Sequence, residues 1–210
     1  MNVNTTNLKL AEAVKALTPE AVELLIKLVQ IPSQNRPPYG DEQVVQEFYN
    51  GYLRRHGLDS KIYEPSDIPD FANHPARLPE HDMKGRPNVT ATVKGVGGGR
   101  SLLILAHADT EAIGDCNKWS DDPFSGTLRN GRIYGRGAGD DKCGMAIAAI
   151  LPQVLRMAGI RLRGDLTLAS VADEEQGGGT LGAALALLQL SLQGGAAVDF
   201  LLQVIDLLRG

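Results

Sequence analysis

Ser101-Leu102-Leu103-Ile104-Leu105-Ala106-His107-Ala108-Asp109 is an apolar run that ends on an imidazole and a carboxylate. A continuous apolar run of this length, bounded by the glycines Gly95 to Gly99, reads as a buried strand. Its last residues carry groups that a core strand does not need. Two acidic clusters follow. Asp140-Asp141-Lys142 closes the turn Gly135-Arg136-Gly137-Ala138-Gly139, and Asp173-Glu174-Glu175 ends a second apolar run, Leu166 to Val171. One imidazole and several carboxylates, each on a strand end or a tight glycine turn, are what a pair of divalent metal ions needs.

Helical patterns lie between these runs. Thr18-Pro19-Glu20 reads as a helix start, with Thr18 as N-cap and Pro19 at the first helical position. Leu24, Leu25, Leu28 and Val29 form its apolar face, and Ile31-Pro32-Ser33 ends it. A second helix is predicted from Asp41 to His56, with Gly57 as its stop. Cys143 to Met157 favours a helix that Pro152 should kink or split. Leu181 to Leu190 looks helical again. Asp59 to Tyr63 and Val89 to Lys94 read as strands. Glu64 to Pro87 is rich in proline and reads as a long surface loop, its His74, His81 and Asp82 as plain surface residues. Gly95 to Gly99 with Arg100 lacks the Gly-Lys-Ser/Thr ending of a phosphate loop and reads as a hairpin turn. Strands alternating with helices give an α/β fold, a layered sheet with helices on both faces. Its ligands belong at the carboxyl ends of the strands.

Composition narrows the partners. The chain has 210 residues, room for one large domain and a sizeable core. Its net charge of −4, without a basic patch, argues against a nucleic-acid surface. No apolar run reaches the roughly 18 residues of a membrane helix. Met1 to Thr18 lacks the apolar core of a signal peptide. Cys116 and Cys143 are far apart in the chain, which fits a reducing, cytoplasmic setting and no disulfide framework.

Each candidate ligand has a physical reason. Asp109 lies two residues after His107, on the same strand face. Ligating imidazoles commonly give their second N–H to a carboxylate. Asp140 follows a glycine turn where the backbone can fold sharply and bring a carboxylate inward. Three adjacent carboxylates, Asp173, Glu174 and Glu175, are hard to tolerate at the end of an apolar strand without a cation. Imidazole plus carboxylate suits zinc, cobalt or manganese. Cys143, beside the Asp140 turn, reads as a small buried side chain rather than a thiolate ligand.

His107-x-Asp109, the Asp140 turn and the Glu174-Glu175 pair, in this order, resemble the M20 family of metallopeptidases and deacylases. That family includes acetylornithine deacetylase, succinyl-diaminopimelate desuccinylase and carboxypeptidase G-like enzymes. Arg86-Pro87-Asn88-Val89 is similar to the family's strand before the site. Trp119-x-x-Asp122-Pro123-Phe124 and Gly131-Arg132-Ile133-Tyr134-Gly135-Arg136-Gly137-Ala138-Gly139-Asp140-Asp141-Lys142 are close to its signature. Leu28-Val29-Gln30-Ile31-Pro32-Ser33 resembles its N-terminal helix end. The resemblance runs roughly from Pro19 to Gly182.

The resemblance implies a metal-dependent hydrolase that cleaves an amide bond of N-acyl amino acids or short peptides at a co-catalytic dinuclear site. It implies two divalent ions, zinc before cobalt or manganese. Asp140 would bridge them, His107 would bind one, Glu175 the other, Asp109 would orient His107, and Glu174 would be the general base. Residues 1–210 then read as a partial catalytic domain without the family's dimerisation domain. The family pattern also has a later Asp or Glu ligand, usually followed by proline, and a distal histidine. Asp206 has the place of the first but is followed by Leu207, and Asp199 to Leu208 reads equally as an amphipathic helix. No histidine follows His107. The alternative is therefore a catalytically inactive, metal-binding or interaction remnant of that family. The leucine-rich stretch Leu181 to Leu208 would expose an apolar surface and favour a homo-oligomer.

Overall fold

The computed structural model describes residues 3–68, 71–73 and 77–177. Its elements, in chain order, are α1 (Val3–Val29), β1 (Asn35–Arg36), β2 (Tyr39–Gly40), α2 (Gln43–Arg55), β3 (Ser60–Tyr63), β4 (Asn88–Val93), β5 (Leu102–His107), β6 (Thr127–Arg129), β7 (Arg132–Tyr134), α3 (Lys142–Met157) and β8 (Leu166–Val171). Short 3-10 turns occur at Pro65–Asp67, Phe71–Asn73 and Cys116–Lys118. The expected helix at Leu181 to Leu190, the leucine-rich surface, Asp206 and His74 lie outside the described residues.

The fold is α/β, built on a four-stranded mixed sheet in the order β3-β4-β8-β5. β4 runs antiparallel to β3 and to β8, whereas β5 and β8 are parallel. Register sets the faces. Ala91, Leu168 and Ile104 stand in one row, and Val89, Ser170 and Ala106 in the next. This face meets the helices: Leu24 and Leu28 of α1, Val45, Tyr49 and Leu53 of α2, and Met145, Ala149 and Val154 of α3 share one core with it. Leu28, Val45 and Met145 are wholly buried, and truncating Leu28 or Met145 to alanine would cost about 2–5 kcal/mol. On the other face Thr92 Oγ1 meets Thr167 Oγ1 at 3.1 Å. Leu105 there is exposed among the described residues.

α1 differs from the sequence expectation. The helix runs unbroken through Pro19 and begins at Val3, so Thr18 is not its N-cap. Thr18 instead donates its hydroxyl to the Val14 carbonyl, 2.7 Å away. Leu10, Ala13 and Leu17 continue the apolar stripe onto the core, and that burial outweighs the hydrogen bond that proline removes. α2 ends where Gly57, at φ +79°, takes the left-handed conformation. α3 remains one helix despite Pro152.

Gly95 to Gly99 is not a hairpin turn. β8 lies between β4 and β5, so the glycine stretch crosses its start. Val96 and Gly97 donate backbone N–H groups to Leu162 and Arg163 carbonyls. A Cβ on Gly95 or Gly164 would overlap the facing backbone; glycine is required there because the two segments touch. The proline-rich loop is also anchored. Ile68, Phe71 and Met83 pack against Ala172 in a second, smaller cluster.

Candidate metal centre

β5 and β8 end side by side at His107 and Val171. The residues just beyond them converge with the Asp140 turn. One ligand atom from each of His107, Asp140 and Glu175 lies within 4.8 Å of the other two. His107 is buried, and its Nε2 lies 3.0 Å from Asp140 Oδ1. Glu174 stands beside this trio: its Oε2 is 3.6 Å from His107 Nε2 and its side chain is 49% exposed. The donor set is one imidazole nitrogen and two carboxylates, which suits a divalent ion of the zinc type.

The far side of the imidazole is fixed. His107 Nδ1 lies 3.1 Å from the Asp109 backbone oxygen and 3.5 Å from Asp109 Oδ1. Asp109 is fully buried. Its Oδ1 accepts the Glu174 N–H at 3.1 Å, and its Oδ2 accepts the Glu175 N–H at 3.0 Å. One carboxylate thus joins the histidine to the turn that carries both glutamates. Burial drives the His107 pKa down, but the carboxylates of Asp109, Asp140 and Glu174 outweigh it and push it up to about 10. Burial disfavours the Asp109 carboxylate, yet His107 and the two backbone N–H groups hold its pKa below the ordinary value. Burial raises the Glu175 pKa, opposed by the Glu111 N–H that its carboxylate accepts at 3.0 Å.

The Asp140 turn is docked by its neighbours. Lys142 is fully buried and donates to the Leu28 and Ile31 carbonyls at 2.9 and 2.7 Å. Leu28 lies in the last turn of α1 and Ile31 just beyond it, where carbonyls need donor partners outside the helix ladder. Asp141 caps α3 by accepting the Gly144 N–H at 3.1 Å. Gly137 has φ +79°, and a Cβ there would press on Thr110 Cγ2. Cys143 donates its thiol to the Gly139 carbonyl at 3.1 Å, and burial first of all raises its pKa away from the thiolate form.

Several participants carried no signal as sequence. Asp173 is served by protein groups and needs no metal ion. It is fully buried and accepts from His81 Nδ1 at 2.7 Å and Asn35 Nδ2 at 3.0 Å, with Arg86 Nη2 also 3.0 Å away. His81 is correspondingly buried, not a plain surface residue. Arg86 in turn pairs with Glu42. The proline-rich loop gave no periodicity that would place His81 inside. Asp173 and Arg86 were named within the acidic cluster and the Arg86-Pro87-Asn88-Val89 segment, but nothing in the sequence pairs them.

Residues 103–206 match peptidase family M20/M25/M40. The chain is 34% identical over 148 residues to N-formyl-4-amino-5-aminomethyl-2-methylpyrimidine deformylase of Bacillus subtilis, covering 69% of this chain and 31% of that protein. It is 30% identical over 157 residues to succinyl-diaminopimelate desuccinylase of Methylocella silvestris, covering 74% of this chain and 35% of that protein. It spans about a third of the length of these curated relatives. Human carnosine dipeptidase 1 shares the fold with a TM-score of 0.62 at 20% identity, over 80% of this chain and 35% of that one. Among the described residues no helix is long and apolar enough to cross a membrane.

Proposed function

Since residues 103–206 fall within peptidase family M20/M25/M40, we propose that this chain belongs to a metal-dependent hydrolase. Its reaction is cleavage of the amide bond of an N-acyl amino acid or short peptide at a dinuclear centre. His107 and Glu175 would each hold one ion, and Asp140 would be shared between them. Asp206, outside the described residues, is the candidate for a further carboxylate ligand. Zinc is the first choice of metal, before cobalt or manganese. Both curated relatives above are named for removing a small acyl group, formyl in one and succinyl in the other. A small N-acyl group is accordingly the substrate feature proposed here.

Bound divalent ions would polarise the scissile carbonyl and lower the pKa of water at the site. The chain's own residues do the rest. Asp109 occupies His107 Nδ1, so Nε2 is the nitrogen that would be free to hold an ion. Glu174 is the general base. It takes one proton from the attacking water and returns it to the amine nitrogen as the carbon–nitrogen bond breaks, giving the free acid and the free amine. Its carboxylate lies next to the ligand trio and half in solvent, where it can reach both water and leaving group.

The observation that carries this reading is the convergence of His107, Asp140 and Glu175 within 4.8 Å at the ends of parallel strands. The test is metal analysis of the purified chain, with hydrolysis assays on N-formyl, N-acetyl and N-succinyl amino acids. Retained zinc, cobalt or manganese is expected, with turnover lowered about 10²–10⁴-fold by Glu174→Gln at unchanged metal content. A chain that holds none of these metals after dialysis would falsify the proposal.

A further inference from the structure

Apart from Asp140, the candidate ligand set has two halves on different chain segments. His107 ends β5 with Asp109 just beyond it, and Glu174 and Glu175 follow β8. One side chain touches the supports of both. Asn35 is 2% exposed and donates from Nδ2 to Asp109 Oδ2 at 2.8 Å and to Asp173 Oδ1 at 3.0 Å. A primary amide carries two hydrogens on one nitrogen and no net charge. It can therefore serve two buried carboxylates at once without adding another ion to the site.

The backbone around Asn35 is tied to the same place. Asn35 N–H donates to the Thr110 carbonyl at 2.8 Å, Thr110 N–H donates to the Ser33 carbonyl at 2.9 Å, and Ser33 Oγ donates to the Ala108 carbonyl at 2.6 Å. The stretch from Ser33 to Asn35 thus lies along the chain segment that contains Asp109. On the other side, Asp173 is a non-glycine residue at φ +67°, a conformation that side-chain-bearing residues seldom adopt. That turn directs the Glu174 and Glu175 N–H groups onto Asp109. Asn35, His81 and Arg86 hold it through the Asp173 carboxylate.

We propose that Asn35 is a positioning residue of the metal centre. Its amide locks Asp109, and with it His107, to Asp173, and with it the Glu174–Glu175 turn. This rests on the metal-centre reading above. The bridge fixes the separation of the two ligand halves, and a loss of register there opens the ligand set without unfolding the core.

The test is cobalt binding by the whole chain, followed by competition with a chelating dye and by the visible spectrum of the cobalt-loaded protein. Asn35→Leu keeps the approximate volume and removes both donors. It is expected to weaken cobalt about 10–100-fold and to shift the cobalt absorption bands. Gln46→Met is the control. Gln46 is equally buried and donates to the Ser170 carbonyl; its loss should lower Tm and leave cobalt affinity and spectrum unchanged. Asn35→Ser, which keeps a single shorter donor, serves if the leucine variant does not fold, with a loss of at least tenfold expected. A folded Asn35 variant with wild-type affinity and spectrum overturns the proposal. So does failure of both Asn35 variants to fold while Gln46→Met folds, because Asn35 would then support the core and not the centre. A wild-type chain that binds no cobalt would instead sink the metal-centre reading itself.

Discussion

Arg86 and Glu42 form an ion pair removed from water: the guanidinium Nε lies 2.9 and 3.1 Å from the two carboxylate oxygens, and Nη2 lies 2.5 Å from one of them. Burial raises the Glu42 pKa above the ordinary value, and Arg86 opposes that shift. Removing the arginine leaves the Glu42 and Asp173 carboxylates buried with one fewer partner. Arg86→Leu should therefore destabilise the chain by about 3–5 kcal/mol, read as a lower urea midpoint. Arg86→Lys should restore only part of this, since an ammonium cannot present the planar fork. Arg86→Leu combined with Glu42→Leu should be less destabilised than the sum of the single variants.

Metal uptake should release protons. The carboxylates of Asp109, Asp140 and Glu174 hold the His107 pKa up to about 10, so the imidazole is protonated at neutral pH before an ion arrives. A ligating imidazole must be neutral. Adding zinc to the metal-free chain in a weak buffer should lower the pH by a stoichiometric amount, measurable by an indicator dye. The signal should disappear in His107→Ala.

Asp109→Asn should separate orientation from coordination. The carboxamide keeps the shape but can accept at only one atom, whereas both Asp109 oxygens accept backbone N–H groups. A loss of about 10–100-fold in zinc affinity is expected, with the far-UV circular dichroism unchanged. Equal affinity in the variant would show that Asp109 does not set the imidazole.

Glu20 should shape the acid limb of the stability curve. Its pKa lies below the ordinary value, chiefly because Tyr52 donates to its Oε1 at 2.5 Å, with Gln153 Nε2 at 3.1 Å and His56 adding to the effect against burial. Below pH 4.5 the unfolded chain binds this proton more readily than the folded one. Stability from Glu20 is thus present above that pH and is lost as pH falls through the lowered folded value. The group is one-third exposed, so the contribution is below about 1 kcal/mol. Glu20→Gln should flatten the fall in urea midpoint between about pH 5 and pH 3.

Gly164→Ala should cost about 1–3 kcal/mol, because the added Cβ would overlap the Arg100 backbone where the segment before β8 passes the glycine stretch. A lower Tm is the readout. Gly97→Ala, in open space at φ +98°, should cost less.

β5 and β8 were legible because apolar runs bounded by glycine and charge leave few alternatives: β8 begins and ends where its run does, and His107 closes β5 as the sequence implied; the short strands β1, β2, β6 and β7 had no such run and were not expected. The convergence of His107, Asp140 and Glu175 was legible for the same reason, since each sits at the end of such a run or turn. What stayed hidden depends on contacts between distant segments. Whether a helix passes through Pro19 is decided by what Leu10 and Ala13 bury against. Whether Gly95 to Gly99 turns back or crosses over is decided by β8, some seventy residues later in the chain. The burial of His81 and the double donation of Asn35 are likewise set by Asp173, which neither residue's neighbours announce.

His107, Asp140 and Glu175 are drawn from three separate stretches, which only the folded chain brings together. An unfolded chain has no such cluster to offer, so occupancy of the centre and global folding are thermodynamically linked. Free zinc at a hundred times its Kd would add about 2.7 kcal/mol to the unfolding free energy. The protein's melting temperature would then follow the zinc concentration of its surroundings.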